Sequence, residues 1–120
     1  MTASKTKALE SAREEVLSAT DSRVSAELWI SLASLLRSYT AAHGLAADHH
    51  AMFEVDEVKI TVRHKEKWLR LERNGAIVTW ARENRKNGKL EITETGRLRN
   101  EVGEDEMDMA AEAWARELMR

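Results

Sequence analysis

The sequence feature that most constrains the fold is an alternation of polar and apolar residues between Val58 and Thr95, interrupted by two Asn-Gly pairs. Segments such as Lys59–Arg63 and Lys67–Glu72 alternate at the two-residue period of a strand. Asn-Gly beside such segments is the strongest short-range hairpin signal, because both residues tolerate the positive φ of a type I′ turn. The block therefore predicts consecutive antiparallel strands, with tight turns at Asn74-Gly75 and Asn87-Gly88.

Strand alternation also sorts the side chains of this block onto two faces of the predicted sheet. One face is almost uniformly apolar and is expected to pack against helices; it comprises Val58, Ile60, Val62, Leu69, Leu71, Val78, Trp80, Leu90 and Ile92. The other face is mainly polar and is expected to meet water; it comprises Lys59, Thr61, Arg63, Lys65, Trp68, Arg70, Glu72, Ile77, Thr79, Lys89, Glu91 and Thr93. One buried and one solvated face is the usual arrangement of an antiparallel sheet.

Helical patterns flank the predicted strands on both sides. Residues 4–19 carry a thin apolar stripe, and the capping-type residues Thr20-Asp21-Ser22 predict that this helix ends and a second begins. Residues 24–43 show the strongest helical pattern, with an apolar face wider than one small sheet needs. Residues 104–119 predict a final helix whose acidic first turn is favoured by the positive end of the helix dipole.

Together these elements predict an α+β fold in a single domain, residues 1–120. We expect two N-terminal helices, an antiparallel meander sheet of four to five strands, and a C-terminal helix packed on the same sheet face. Ala51–Val55 is a candidate short first strand, and Arg97–Arg99 can continue the pairing at the other end. Residues 1–20 form either a loosely docked helical arm or an arm that packs on a second subunit.

The composition narrows the class of protein. The chain has no cysteine, which excludes disulfides, thiol catalysis and thiolate metal sites. It contains no apolar run near the roughly 20 residues that span a membrane, and we expect a cytoplasmic protein with no membrane partner. Residues 59–99 hold twelve basic and five acidic side chains, a net charge of +7, between acidic flanks. That basic centre directs attention to the polar sheet face.

Trp68 is the unusual member of the polar face, because it lies among the basic residues Lys59, Arg63 and Arg70. The plainest interpretation is surface packing of Trp68 across strands on Ile77, covered by arginine stems. A second is a protein interface, where Trp and Arg are enriched. A third is a single-stranded nucleic-acid platform, on which bases stack and cations meet phosphates.

The segment Arg82–Lys89 is predicted to be a polar hairpin tip, either a solvated loop or a grip for phosphate or an acidic partner. With the basic face it gives the candidate interaction surface: Lys59, Arg63, Trp68, Arg70, Arg82, Arg85 and Lys86.

The sequence contains no recognisable catalytic or metal-binding motif. Adjacent His49 and His50 diverge on either a strand or a helix, and the chain lacks a His-x-x-x-His pattern. The acidic run at residues 104–108 does not match a calcium loop. The chain also lacks a Gly-x-Ser-x-Gly elbow and a phosphate-binding glycine loop. We therefore expect no enzyme activity, no catalytic residues, no cofactor and no metal.

The sequence supports three functional hypotheses. The first is a small protein-interaction module, homodimeric, that binds itself or another protein. The second is a nucleic-acid-binding or regulatory module that uses the basic, Trp-bearing sheet face. The third is a small-ligand-binding protein with a pocket between helices and sheet, lined by Trp29, Tyr39, Met52, Trp80 and Trp114.

Overall fold

A computed structural model describes residues 2–45 and 50–120, with side chains described from Arg23 onward. Within these ranges the structure has two helices and seven strands: α1 Thr2–Gly44, β1 Met52–Val55, β2 Lys59–His64, β3 Lys67–Asn74, β4 Ile77–Arg82, β5 Asn87–Ile92, β6 Arg97–Arg99, β7 Glu104–Glu106 and α2 Met107–Met119. The α+β class is confirmed. The predicted number of strands, four to five, is wrong because short segments near both ends of the block also pair.

The sheet is a meander in which each strand pairs antiparallel with its neighbour in sequence, in the order β1 to β7. Ala51–Val55 and Arg97–Arg99 were the two candidate extensions, and the structure includes both segments, as β1 and β6, apart from Ala51. Strands β1 and β7 are consequently the two edges of the sheet.

Helix α1 is a single helix of 43 residues, so the predicted break at residues 20–22 is wrong. Thr, Asp and Ser favour helix starts, but inside a helix they cost only a few tenths of a kcal/mol each. No proline occurs in the chain and the first glycine is Gly44, so nothing strong enough to stop the helix precedes its observed end. At 1.5 Å per residue α1 spans about 65 Å, close to the 68 Å long dimension of the protein, and it extends well beyond the sheet.

The core lies between both helices and one face of the sheet, the inner face. Its sheet residues are Ile60, Val62, Leu69, Leu71, Val78, Leu90, Ile92 and Leu98, and its helix residues are Trp29, Leu32, Ala33, Leu36, Met107, Ala111 and Leu118. The predicted inner face is confirmed except for Val58, which is 54% exposed because it lies in the β1–β2 turn. Thr93, predicted to face water, is buried beyond the end of β5, and its hydroxyl accepts a hydrogen bond from the Arg97 N–H at 2.9 Å.

The two Asn-Gly pairs behave differently from the prediction. Asn74 is the last residue of β3, pairs with Ile77, and leaves Gly75-Ala76 as the two-residue loop. Within that loop only Gly75 has a positive φ, whereas a type I′ turn needs one at both central residues. The second turn occupies residues 83–86, with Arg85 at φ 67°, so Asn87-Gly88 belongs to β5 rather than to a turn.

Residues 104–106 form the edge strand β7 and not the first turn of the final helix, which begins at Met107. The acidic side chains pair with the arginines of β6: Arg97 Nη2 lies 2.7 Å from Glu106 Oε1, and Arg99 Nη2 lies 2.9 Å from Glu104 Oε1. Cross-strand ion pairs thus take the place of the predicted interaction with the helix dipole.

Candidate interaction surface at the edge of the first strand

Four side chains meet at one corner of the outer, polar face of the sheet, which we call the Trp68 corner: the predicted outer-face residues Arg63, Trp68 and Arg70, together with Met52. The register places Met52 opposite Arg63 and Arg63 opposite Trp68, so these three form one row across β1, β2 and β3. Arg70, two residues along β3, stacks its guanidinium over the indole with Cζ 5.2 Å from the ring centroid. Met52 is 71% exposed, and Trp68 is half-buried.

The β2–β3 hairpin fixes this arrangement. Lys65-Glu66 is a two-residue loop between the paired residues His64 and Lys67, and Lys65 adopts a φ of 58° there. Because a tight loop sets the register, Arg63 and Trp68 must face each other on the same side of the sheet. His64 and Leu69, their neighbours, are buried on the inner face.

Trp68 does not pack on Ile77, so that part of the prediction is wrong. Ile77 lies opposite Asn74, six residues along β3 from Trp68, which is about 20 Å of strand. The arginine cover is nonetheless present, supplied by Arg70. The prediction that an arginine covers Trp68 was therefore correct, and the prediction that Ile77 packs on it was wrong. The Asn-Gly pair alone does not reveal the β3–β4 register.

Glu83 connects the Trp68 corner to Arg82, whose side chain lies on the inner face. Its Oε1 accepts the Trp68 backbone N–H at 3.1 Å and a hydrogen bond from Arg82 Nη2 at 3.2 Å. Burial alone would raise the pKa of the Glu83 carboxyl, but the hydrogen bond from Arg82, the Trp68 N–H and the Arg82 charge together hold this pKa below its ordinary value. Arg82 Nη1 in turn pairs with Glu117 of α2.

Arg82 is therefore not part of the exposed surface on which the sequence placed it. It is only 6% exposed, because β4 continues through residue 82 and alternation from Val78 and Trp80 carries its side chain inward. That two-residue period was visible in the sequence and could have identified it. Carboxylates of Glu83 and Glu117 neutralise the guanidinium, so Arg82 anchors α2 to the sheet.

The remaining members of the predicted surface do not all converge. Arg85 and Lys86 are exposed in the β4–β5 turn, at the same end of the sheet as Trp68. Lys59 lies at the opposite end of β2, opposite Glu72. The structure therefore groups Arg63, Trp68 and Arg70, adds Met52, places Arg85 and Lys86 nearby, and separates Lys59 and Arg82.

Charges alternate in sign across the outer face. Six basic side chains occupy it, Lys59, Arg63, Arg70, Lys89, Arg97 and Arg99, beside five acidic ones, Glu54, Glu72, Glu91, Glu104 and Glu106. Six minus five leaves a face charge of +1, although residues 59–99 together carry +7. β1 and β7 supply three of the acids from outside the basic block.

The five residues expected to line a pocket do not share one. Trp29 is 1% exposed within the core, with its indole N–H donating to the Asp56 carbonyl at 2.9 Å, and Met52 is on the outer face. Trp80 and Trp114 line an open groove of about 320 Å³ between α2 and the sheet, which also contains Arg82. Tyr39 lies in a different groove, beside α2.

Two of the described histidines, His43 and His64, make structural contacts. His64 Nδ1 donates to the Leu118 carbonyl at 3.0 Å, and His43 Nε2 lies 3.1 Å from Glu112 Oε1, joining α1 to α2. His49 lies outside the described residues. Among residues 23–45 and 50–120, whose side chains the structure describes, no cluster of three or more His, Asp or Glu is placed to hold a metal ion. Neither helix, over its described length, is both long and apolar enough to cross a membrane.

Comparisons of the chain with protein-family models, with curated proteins and with solved structures find no match.

Proposed function

We propose that the protein is a non-enzymatic protein-interaction module that acts through the Trp68 corner and associates as a homodimer. The observation that carries this proposal is the row Met52–Arg63–Trp68 beside an open sheet edge, with Arg70 over the indole. Met, Trp and Arg are the residue types enriched at the centres of protein interfaces, where Trp and Arg also dominate the binding energy.

Arg63 supports the proposal through its lack of an internal partner. Within the described part of the chain no carboxylate lies within ion-pair distance of Arg63, although it is exposed between Met52 and Trp68. Other outer-face arginines have such partners, for example Arg97 with Glu106 and Arg99 with Glu104. A partner that brings a carboxylate to this row gains a charge-assisted hydrogen bond without breaking an existing ion pair of Arg63.

The nucleic-acid alternative is less well supported by the same surface. Nucleic-acid affinity comes chiefly from neutralising many phosphates, and it needs a continuous run of positive charge. On this face acidic residues such as Glu72 and Glu91 stand between the basic ones. Trp68 also has one ring face covered by Arg70, which reduces the area on which a base can stack.

Light scattering coupled to size-exclusion chromatography, over a wide series of protein concentrations, tests the proposal. We expect wild-type protein to approach twice the 13.7 kDa chain mass. The double variant Arg63→Ala, Trp68→Ala should shift towards the chain mass, because truncating central Trp and Arg residues commonly costs 2 kcal/mol or more, roughly 30-fold in affinity. The matched control is Thr79→Ala, Lys89→Ala, a pair on the same face but away from the corner.

A wild-type protein that remains at the chain mass throughout the series contradicts the homodimer. A dimer that the corner variant leaves as stable as the control assigns self-association to another surface and contradicts the role of the corner. Binding of a single-stranded oligonucleotide at low salt, weakened by the corner variant and not by the control, would instead favour the nucleic-acid alternative.

A further inference from the structure

The two edges of the sheet differ in their readiness to pair with another strand. An edge strand presents one row of unpaired N–H and C=O groups, which proteins usually protect with charges, prolines or very short strands. β7 is three residues long and entirely acidic, Glu104–Glu106. β1 has the sequence Met-Phe-Glu-Val, with no proline and a single charge at Glu54. Within the described part of the chain, β1 is therefore the less protected of the two edges.

Exposed apolar side chains collect beside that edge. Seven large hydrophobic residues with described side chains are exposed, and Met52, Val55 and Val58 of this set lie in β1 or the turn that follows it. Ile30, 64% exposed, is a fourth. It is seven residues from Arg37, on the same flank of α1, and the Arg37 guanidinium lies over the Phe53 ring of β1 at 5.4 Å. This apolar border adjoins the Trp68 corner.

We infer that β1 pairs antiparallel with β1 of a second copy of this chain, about a twofold axis at Phe53, so that the two sheets form one continuous sheet. This inference rests on the proposed function and specifies its partner and its geometry. An isologous contact of this kind closes at two copies.

The register follows from face and charge. Residues opposite each other in an antiparallel pair have their side chains on the same face of the sheet. The twofold axis must therefore pass at one residue, which then lies opposite itself in the second copy, and not between two residues. An axis at Glu54 would set two like charges opposite each other, which is destabilising. An axis at Phe53 places Met52 opposite the second copy's Glu54 and leaves both copies' Phe53 on the inner face.

Charge complementarity supports a second copy as the occupant. In the Phe53 register the second copy's Glu54 extends the row Met52–Arg63–Trp68 by one position. Two strand spacings, about 10 Å, then separate its backbone from that of Arg63, a distance that a glutamate and an arginine side chain bridge together across Met52. Each copy thus supplies the carboxylate that the other copy's Arg63 lacks.

Cysteine crosslinking tests the register, since the chain has no cysteine of its own. Met52→Cys and Glu54→Cys both change exposed residues, so the core is left intact. A mixture of the two variants should form a disulfide-linked pair under mild oxidation, because directly opposed residues are within the Cα separation that a disulfide spans. Either variant alone should crosslink far less. In this register position 52 of one copy is diagonal to position 52 of the other, and the two positions 54 are likewise diagonal, at about 7–8 Å or slightly more.

Val102→Cys, 96% exposed in the β6–β7 loop, is the control for random collision when mixed with Met52→Cys. A mixture that crosslinks no better than this control overturns the inference, as does equal crosslinking of the single variants. If in either case Arg63→Ala, Trp68→Ala still weakens a wild-type dimer, the proposed function stands and only the β1 geometry fails. A crosslink in the mixture combined with no effect of that double variant contradicts the proposed role of the corner instead.

Charge exchange gives a second, independent readout. Arg63→Glu and Glu54→Arg should each raise the dimer dissociation constant roughly five- to tenfold, because each leaves like charges adjacent across the axis. Combining both changes in one chain restores the opposite-charge pair and should recover most of the loss. Additive weakening in the double variant shows that the two side chains do not meet and overturns the register.

Discussion

Gly88 lies directly opposite Trp80 in the β4–β5 ladder, and the indole occupies the space that a side chain at position 88 would need. A Cβ built on Gly88 would lie 2.5 Å from Trp80 Nε1 and 2.7 Å from Cε2. Glycine is present at this position because of a ring that crosses the strand, and not because of a turn. The same ring contacts Trp114 of α2, with 6.3 Å between centroids, so Gly88 indirectly allows α2 to dock.

Gly88→Ala should destabilise the protein by about 1–3 kcal/mol, the usual cost of forcing an extra group into a packed site. Urea unfolding followed by tryptophan fluorescence measures the change. Gly103→Ala is the matched control, because no atom lies within 4 Å of the Cβ it would add. If the two variants lose equal stability, the contact with Trp80 is not the cause.

Trp29→Phe should cost about 1–3 kcal/mol, combining a lost hydrogen bond to the Asp56 carbonyl with a smaller ring in a fully buried site. Differential scanning calorimetry reports the change in melting temperature and enthalpy. Ser34→Ala, on the exposed side of α1, should stay within about 0.5 kcal/mol of wild type. A Trp29 variant as stable as this control would show that α1 does not depend on its bond to the β1–β2 turn.

The low pKa of Glu83 predicts a pH-dependent contribution to stability. A carboxyl whose pKa falls on folding stabilises the folded state above its ordinary value, 4.5, and this contribution disappears as the pH falls through the folded-state pKa. Glu83→Gln should therefore be less stable than wild type at pH 7, with the difference shrinking as the pH falls below 4.5 and through the lower folded-state pKa.

Urea midpoints at several pH values between these limits test that sign. Glu94→Gln, an exposed loop change, controls for the loss of one negative charge. If the difference in urea midpoint between Glu83→Gln and wild type stays constant down to the lowest pH measured, Glu83 acts through packing rather than through charge.

Removing residues 1–20 distinguishes the β1 geometry from an arm-mediated dimer. The buried residues of α1 with described side chains run from Ser25 to Gly44, and Asp21 and Ser22 would remain as capping-type residues for a shortened helix. Since the inferred axis lies at Phe53, the truncated chain should still dimerise with nearly the same dissociation constant. Analytical ultracentrifugation of the truncated chain that detects only monomer would assign the dimer contact to residues 1–20.

The inner face of the sheet was predictable because burial imposes a strict two-residue period, and residues such as Ile60 and Leu71 are where that period puts them. Turn positions were less predictable. Asn87-Gly88 has the composition of a turn, but it lies in β5, where Trp80 occupies the space that a side chain at position 88 would need. Arg82 was misplaced for a related reason: residue type suggested solvent, whereas its position in the alternation and the carboxylate of Glu117 determined burial.

The candidate site was predicted in part. Trp68, Arg63 and Arg70 follow from alternation alone. Met52 joins them only because β1 pairs in a particular register across Asp56-Glu57, where the sequence predicts a turn or a bulge but not the register. The interruption of the basic block by acids from β1 and β7 was equally hidden, because it depends on which strands become neighbours.

The meander order has a consequence for the chain as it is synthesised. Each strand needs only the one before it, so the sheet can assemble progressively as the polypeptide emerges from the ribosome. Helix α2, residues 107–119, arrives last and covers inner-face residues beside Leu118 and Ala111. Until it docks, part of the apolar surface stays uncovered, so a nascent or C-terminally truncated chain would be a natural client for chaperones.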